Sequence, residues 1–140
     1  GRAAVLAGEW LGQSGAMQER RDRLEAGLMQ LIPGATRNGA AGMRLPNTLN
    51  LTLPGLRGES LVIALDQHGI ACSSGSACKS GSPEPTHVLK AMGLSDEAAH
   101  CSLRLSLSHH TDDEAIERTL SVVQRVLTER STSVRFIGCK

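Results

Sequence analysis

Asn47-Thr48-Leu49-Asn50-Leu51-Thr52-Leu53 alternates polar and apolar residues, and further along Ser102-Leu103-Arg104-Leu105-Ser106-Leu107 does the same. A period of two marks a strand with one face in a core and the other outside it. Leu49, Leu51 and Leu53 are therefore expected on one face of the first strand, which Pro54-Gly55 ends. In the second, Leu103, Leu105 and Leu107 are expected inward, with Ser102, Arg104 and Ser106 on the opposite face.

Outward from these strands the period changes to that of helices. Met17, Leu24, Leu28 and Leu31 recur at helical spacing. The pairs Glu19/Arg23 and Arg21/Glu25 stand four apart and are expected on the solvated side. This amphipathic helix is expected to begin near Arg2, to be weakened by Gly12 and Gly15, and to stop at Pro33-Gly34. Leu61, Ala64 and Leu65 predict a helix over Glu59–His68 closed by Gly69, and Ile70–Cys72 reads as a short strand. Pro85 is placed to open a helix over Thr86–Met92 that Gly93 closes, and Ser95 to cap a short turn through Ala99. Thr111-Asp112-Asp113-Glu114 fits a capping box, and Ile116, Leu120, Val123 and Leu127 predict the buried stripe of the last helix. The tail Ser131–Lys140 is weakly specified. Together these elements make one compact α/β-type domain of a few strands and three or four helices.

The 140 residues suit a single domain, and the aliphatic content with a net charge of +1 excludes intrinsic disorder. Trp10 and Phe136 are the only aromatic residues of the Phe, Trp and Tyr class, so no base-stacking platform can be assembled. The near-neutral charge also removes the basic stripe that a duplex binder needs; no nucleic-acid partner is expected. No purely apolar run exceeds five residues, the length of Leu61–Leu65, which is far short of the roughly 20 residues that span a bilayer, so no membrane partner is expected. Cys72, Cys78, Cys101 and Cys139 are irregularly spaced, which points to free thiols in a reducing compartment. The chain opens on Gly1 rather than Met, as a piece cut from a longer protein would.

The stretch Ser73–Pro85, SSGSACKSGSPEP, is almost wholly small residues around one thiol. Gly75 and Gly81 stand three residues either side of Cys78, and Lys79 supplies a charge that favours the thiolate, so Cys78 is a candidate nucleophile; an incidental Cys on a surface loop is the other reading. His87 is the nearest candidate base in sequence, but a lone helical His is more often solvated. The adjacent His109 and His110 would point in different directions in a strand. No zinc spacing occurs, so no metal is expected, and the glycine-rich loop matches neither phosphate-cradling order. Arg104, flanked by small serines in mid-strand, has space to present a bidentate fork to a carboxylate; an ordinary surface or ion-paired Arg is the alternative.

The ordered blocks LPNTLNLTLPGLRGESLVIALDQHG, IACSSGSACKSGSPEPTHVLKAMG and HCSLRLSLSHHT together resemble the carboxy-terminal part of NifS/IscS-type cysteine desulfurases. The resemblance implies the small domain of a fold-type I pyridoxal phosphate-dependent transferase, with α/β (α+β) architecture: a short, mostly antiparallel sheet packed with three or four helices. Residues 1–140 would form that single domain, with 1–32 as the connecting amphipathic helix and the large, cofactor-lysine domain absent. Cys78 matches the catalytic cysteine, and Arg104 the arginine that binds the substrate carboxylate. The implied reaction takes sulfur from L-cysteine, held on pyridoxal phosphate, onto Cys78 as a persulfide and releases L-alanine. The implied setting is a cytoplasmic homodimer that passes sulfur to an acceptor or scaffold protein for iron-sulfur cluster or other sulfur-cofactor assembly. The cofactor lysine of the family follows a histidine; Lys79, Lys90 and Lys140 do not, so this chain alone is expected to bind no cofactor. A non-catalytic sulfur-carrier or scaffold-binding module is the alternative. Departures from the family pattern fall at Cys72, Lys79 and His109-His110.

Overall fold

The computed structural model describes residues 1–12, 14–40, 42–74 and 86–132. Four helices run nine residues or longer: α1 (Arg2–Leu11), α2 (Ser14–Leu31), α3 (Gly58–Asp66) and α6 (Asp113–Thr132). Two of five residues, α4 (His87–Ala91) and α5 (Asp96–His100), link the strands β3 (Ser73–Ser74) and β4 (Ser102–Ser106). The remaining strands are β1 (Thr36–Arg37) and β2 (Thr48–Thr52).

The sheet order is β1-β2-β4-β3, and every neighbouring pair is antiparallel. Strands β2 and β3 thus run the same way, with β4 inserted between them as in a split βαβ unit whose crossover helix is α3. Both long strands bury the leucines that their alternation predicts, and register pairs Leu49 with Leu105 and Leu51 with Leu103. Leu24 and Leu28 of α2, Leu61 and Leu65 of α3, and Ile116 and Val123 of α6 pack over these leucines in one cluster. The result is a layer of α2, α3 and α6 on one face of the sheet.

Helix ends follow local chemistry. Gly69 (φ 74°) and Gly93 (φ 89°) take the left-handed conformation after α3 and α4, where side chains with a Cβ are disfavoured. Ser95 Oγ accepts from the Ala98 amide at 3.2 Å and caps α5. Before α6, the cap is Asp112, whose Oδ1 accepts from Ala115 N at 2.8 Å, while Thr111 Oγ1 accepts from Ser108 N. The carboxylate one residue nearer the helix displaces the hydroxyl from the capping role that the sequence pattern gives Thr111.

Four expectations are corrected. The amino-terminal helix is two, α1 ending at Leu11 and α2 starting at Ser14, as glycines at 12 and 15 weaken continuity. The strand expected at 70–72 forms instead at Ser73–Ser74, because Ile70 is used to close α3: its amide donates to Leu65 O at 3.0 Å. The last helix buries Ile116, Thr119, Val122, Val123 and Val126, with Leu120 and Leu127 at the margin.

The fourth concerns Arg21 and Glu25, which are 3% and 6% exposed rather than solvated. Arg21 donates to Leu45 O and to Asp22, both at 2.6 Å; Glu25 accepts from Arg37 at 2.7 Å and Arg44 at 2.5 Å. The network ties the segment before β2 onto α2. On the other side of α2, Arg20 and Arg23 donate to Asp113 at 3.0 and 2.8 Å, and the Arg20 hydrogen bond chiefly holds that carboxyl below its usual range.

Candidate functional site

The sheet face opposite α2, α3 and α6 is polar because each leucine of β2 and β4 alternates with a hydrophilic residue. Antiparallel register puts Asn50 directly opposite Arg104, and Arg104 directly opposite Ser73. Asn38 joins at the far end: its amide donates to Asn50 O at 2.9 Å. A row Asn38, Asn50, Arg104, Ser73 thus crosses the sheet, flanked by the pairs Thr48/Ser106 and Thr52/Ser102.

Within the row Thr52 Oγ1 donates to Asn38 Oδ1 at 3.0 Å, and Asn38 Nδ2 donates to Asn50 Oδ1 at 2.6 Å. Arg104 is exposed and, among the described residues, makes no side-chain hydrogen bond or ion pair. A guanidinium held in mid-sheet with no acidic partner in its row can receive an anion through two parallel N–H bonds. The reading of Arg104 as an ordinary ion-paired arginine finds no pair among the described residues, while its exposure agrees with an ordinary surface position. Sequence reasoning missed Asn38 and Asn50. The available signal was Asn50 itself, a residue type depleted in strands, standing in mid-strand on the polar face.

Cys78 and Lys79 lie outside the described residues, as do Pro85, the greater part of the stretch Ser73–Pro85, Cys139 and most of the tail. The described start of that stretch is β3, the sheet's edge strand, whose Ser73 pairs with Arg104. Cys72, just before it, is a free thiol pushed up to about 11 by burial and, secondarily, by the Asp66 carboxylate. The expectation of free thiols fails at Cys101, which is disulfide-bonded.

His87 is exposed at the start of α4, and no described contact joins it to Arg104. His109 and His110 stand in a turn rather than a strand, and their rings meet at 3.8 Å instead of diverging. His109 also stacks on Trp10 of α1, with ring centroids 4.3 Å apart and planes 18° apart. No group of three or more potential metal ligands comes together among the described residues.

The described residues do not fit pyridoxal phosphate as a resident group. Their one lysine, Lys90, is exposed on α4 and ion-paired with Asp96 at 2.9 Å.

Residues 7–119 match the aminotransferase class-V family. The chain is 44% identical over 132 residues to the cysteine desulfurase of Enterobacter agglomerans, covering 91% of this chain and 33% of that protein. It is also 44% identical over 109 residues to the cysteine desulfurase NifS of Azotobacter vinelandii, covering 78% of this chain and 27% of the relative. A solved NifS-like protein superposes with a TM-score of 0.78 at 31% identity, covering 92% of this chain and 32% of the other. The NifS-like protein of Rickettsia africae superposes at 0.70 and 30% identity, covering 82% of this chain and 29% of its own. The chain therefore spans about a third of the length of these relatives.

Proposed function

Because this chain belongs to the aminotransferase class-V family, alongside the cysteine desulfurases, we propose that it is the small carboxy-terminal domain of such an enzyme, formed by residues 1–140 with 1–32 as the connecting helical segment. The observation that carries the reading is the guanidinium of Arg104, without a side-chain partner among the described residues and fixed by register in the middle of a polar sheet face. Arg104 anchors the α-carboxylate of L-cysteine. Cys78, on the stretch that leaves β3, receives the substrate's sulfur as a persulfide, L-alanine departs, and the persulfide is passed to an acceptor or scaffold protein. Pyridoxal phosphate, held by the large domain of the same enzyme, supplies the electron sink for breaking the carbon–sulfur bond. The work is cytoplasmic, in a homodimer, and serves iron-sulfur cluster or other sulfur-cofactor assembly. No described helix is long and apolar enough to cross a membrane.

The chain's own contribution divides between binding and reactivity. Arg104 holds the carboxylate equally in ground and transition states, so its fork acts on affinity. The Gly- and Ser-rich surroundings of Cys78 suit a thiol that must meet both substrate and acceptor.

Two substitutions in the complete, cofactor-loaded enzyme test the reading. Cys78→Ala should abolish sulfur release while leaving the cofactor's absorption spectrum unchanged; undiminished sulfur release would sink the assignment. Arg104→Ala should raise KM for L-cysteine about 10- to 100-fold, as expected for losing a charged hydrogen-bond pair, with kcat little changed. A loss confined to kcat would contradict the anchor role.

A sulfur-carrier or scaffold-binding module acting by itself is the second reading, favoured by the lack of a histidine before any of the three lysines. Borohydride reduction of the complete protein with pyridoxal phosphate separates enzyme from module, the enzyme requiring a lysine adduct outside these 140 residues. A specific stoichiometric lysine adduct would count against the module.

A further inference from the structure

We propose that Asn50 is a second donor to the substrate carboxylate, set beside Arg104 by strand register and aimed by Asn38. The inference rests on the reading of Arg104 as the carboxylate anchor.

Directly opposite residues of an antiparallel pair have Cβ atoms about 4.5–5.5 Å apart, so side chains at 50 and 104 share one patch of the polar face. Paired across strands, an amide and a guanidinium usually gain stability when the amide oxygen accepts from the guanidinium. Here that oxygen already accepts one hydrogen bond, and Arg104 donates none to it. Asn50 Oδ1 accepts from Asn38 Nδ2 at 2.6 Å, and Asn38 Oδ1 is in turn held by the Thr52 hydroxyl at 3.0 Å. Asn50 is left with its Nδ2 donors, which have no partner among the described residues, next to an Arg104 that has none either.

Two sets of donors therefore face one spot in a row that contains no acid: Asn38, Asn50, Arg104 and Ser73. Ser73 Oγ does not fill the gap, since it donates to Ser74 O at 2.8 Å. A small carboxylate completes the arrangement, one oxygen on the guanidinium and the amide N–H groups reaching the other. Asn50 is then a substrate-binding residue, and Asn38 positions it.

KM for L-cysteine in the complete enzyme tests the inference through Asn50→Ala, Asn50→Asp, Asn38→Ala and Arg104→Ala, with thermal unfolding of each variant as the fold control. Loss of one hydrogen bond to a charged group predicts an increase of about 10- to 100-fold for Asn50→Ala. Asn50→Asp has the same shape and still accepts from Asn38, yet it sets a negative charge against the carboxylate, so KM should rise further than in Asn50→Ala. Because the new carboxylate would also face Arg104 and compete for it, the deciding variant is Asn50→Ala: a KM within about twofold of the parent overturns the inference. Asn38→Ala should raise KM less than Asn50→Ala does. If Arg104→Ala raises KM while both Asn50 variants stay within about twofold of the parent, the inference fails and the anchor stands. If Arg104→Ala leaves KM unmoved, the anchor reading itself has failed.

Discussion

Cys72 shows how a thiol near a site is kept out of its chemistry. Half-buried, and with the Asp66 carboxylate adding to the effect of burial, it titrates near 11 rather than at its ordinary value of 9.0. Only the thiolate is nucleophilic, and a rise of that size leaves about a hundredth of the usual thiolate at neutral pH. Alkylation of Cys72 by iodoacetamide, followed by mass mapping, should therefore be slow at about pH 7.5 and still accelerating at about pH 10; a rate that levels off near the ordinary value would show an unperturbed thiol. The sign for stability follows from the same displacement. A raised folded pKa favours the neutral form, so this contribution is intact below about 9 and is lost as pH rises through about 11. Legibility in the sequence differs from residue to residue. Arg104 was legible because alternation alone decides its face. Arg21 and Glu25 were not: helical spacing sees their mutual distance, whereas their burial comes from Leu45, Arg37 and Arg44, which arrive from a distant segment.

Among the elements, α3 is the one with least freedom, since its first residue abuts the first residue of β4. A Cβ built on Gly58 would collide with the Ser102 carbonyl oxygen, a backbone atom that cannot step aside. A Cβ on Gly27 of α2 would lie 2.6 Å from Leu120 Cδ2, the end of a side chain that can change rotamer. Gly58→Ala is therefore expected to cost about 2–3 kcal/mol, as overpacking does. Gly27→Ala should stay within about 1 kcal/mol, because better helix propensity offsets the displaced leucine. Urea unfolding of both variants checks the ranking, and equal losses would refute it. The positions of β2, β4 and α3 were readable because each carries an apolar period, and Gly69 closes the helix as its position predicts. The short β3 was misplaced because a two-residue strand has no period to read; pairing with β4 alone defines it.

In the whole molecule, strand order was the least legible feature. Alternation shows which side of a strand is inner but not which strand lies beside it, so the insertion of β4 between β2 and β3, which brings Asn50, Arg104 and Ser73 into line, had no local signal. The family resemblance reached the antiparallel character of the sheet, and residues 7–119 bear the family out. Packing α2, α3 and α6 against the leucine face of the sheet has a further consequence for divergence. The leucines that hold the fold and the polar side chains of the row alternate along the same strands on opposite faces, so changes on one face should leave the other nearly untouched. A lineage can rewrite the polar row one residue at a time, exploring new anions, while the inner leucines keep every replacement pointing at the same spot; only a one-residue register slip would erase both at once.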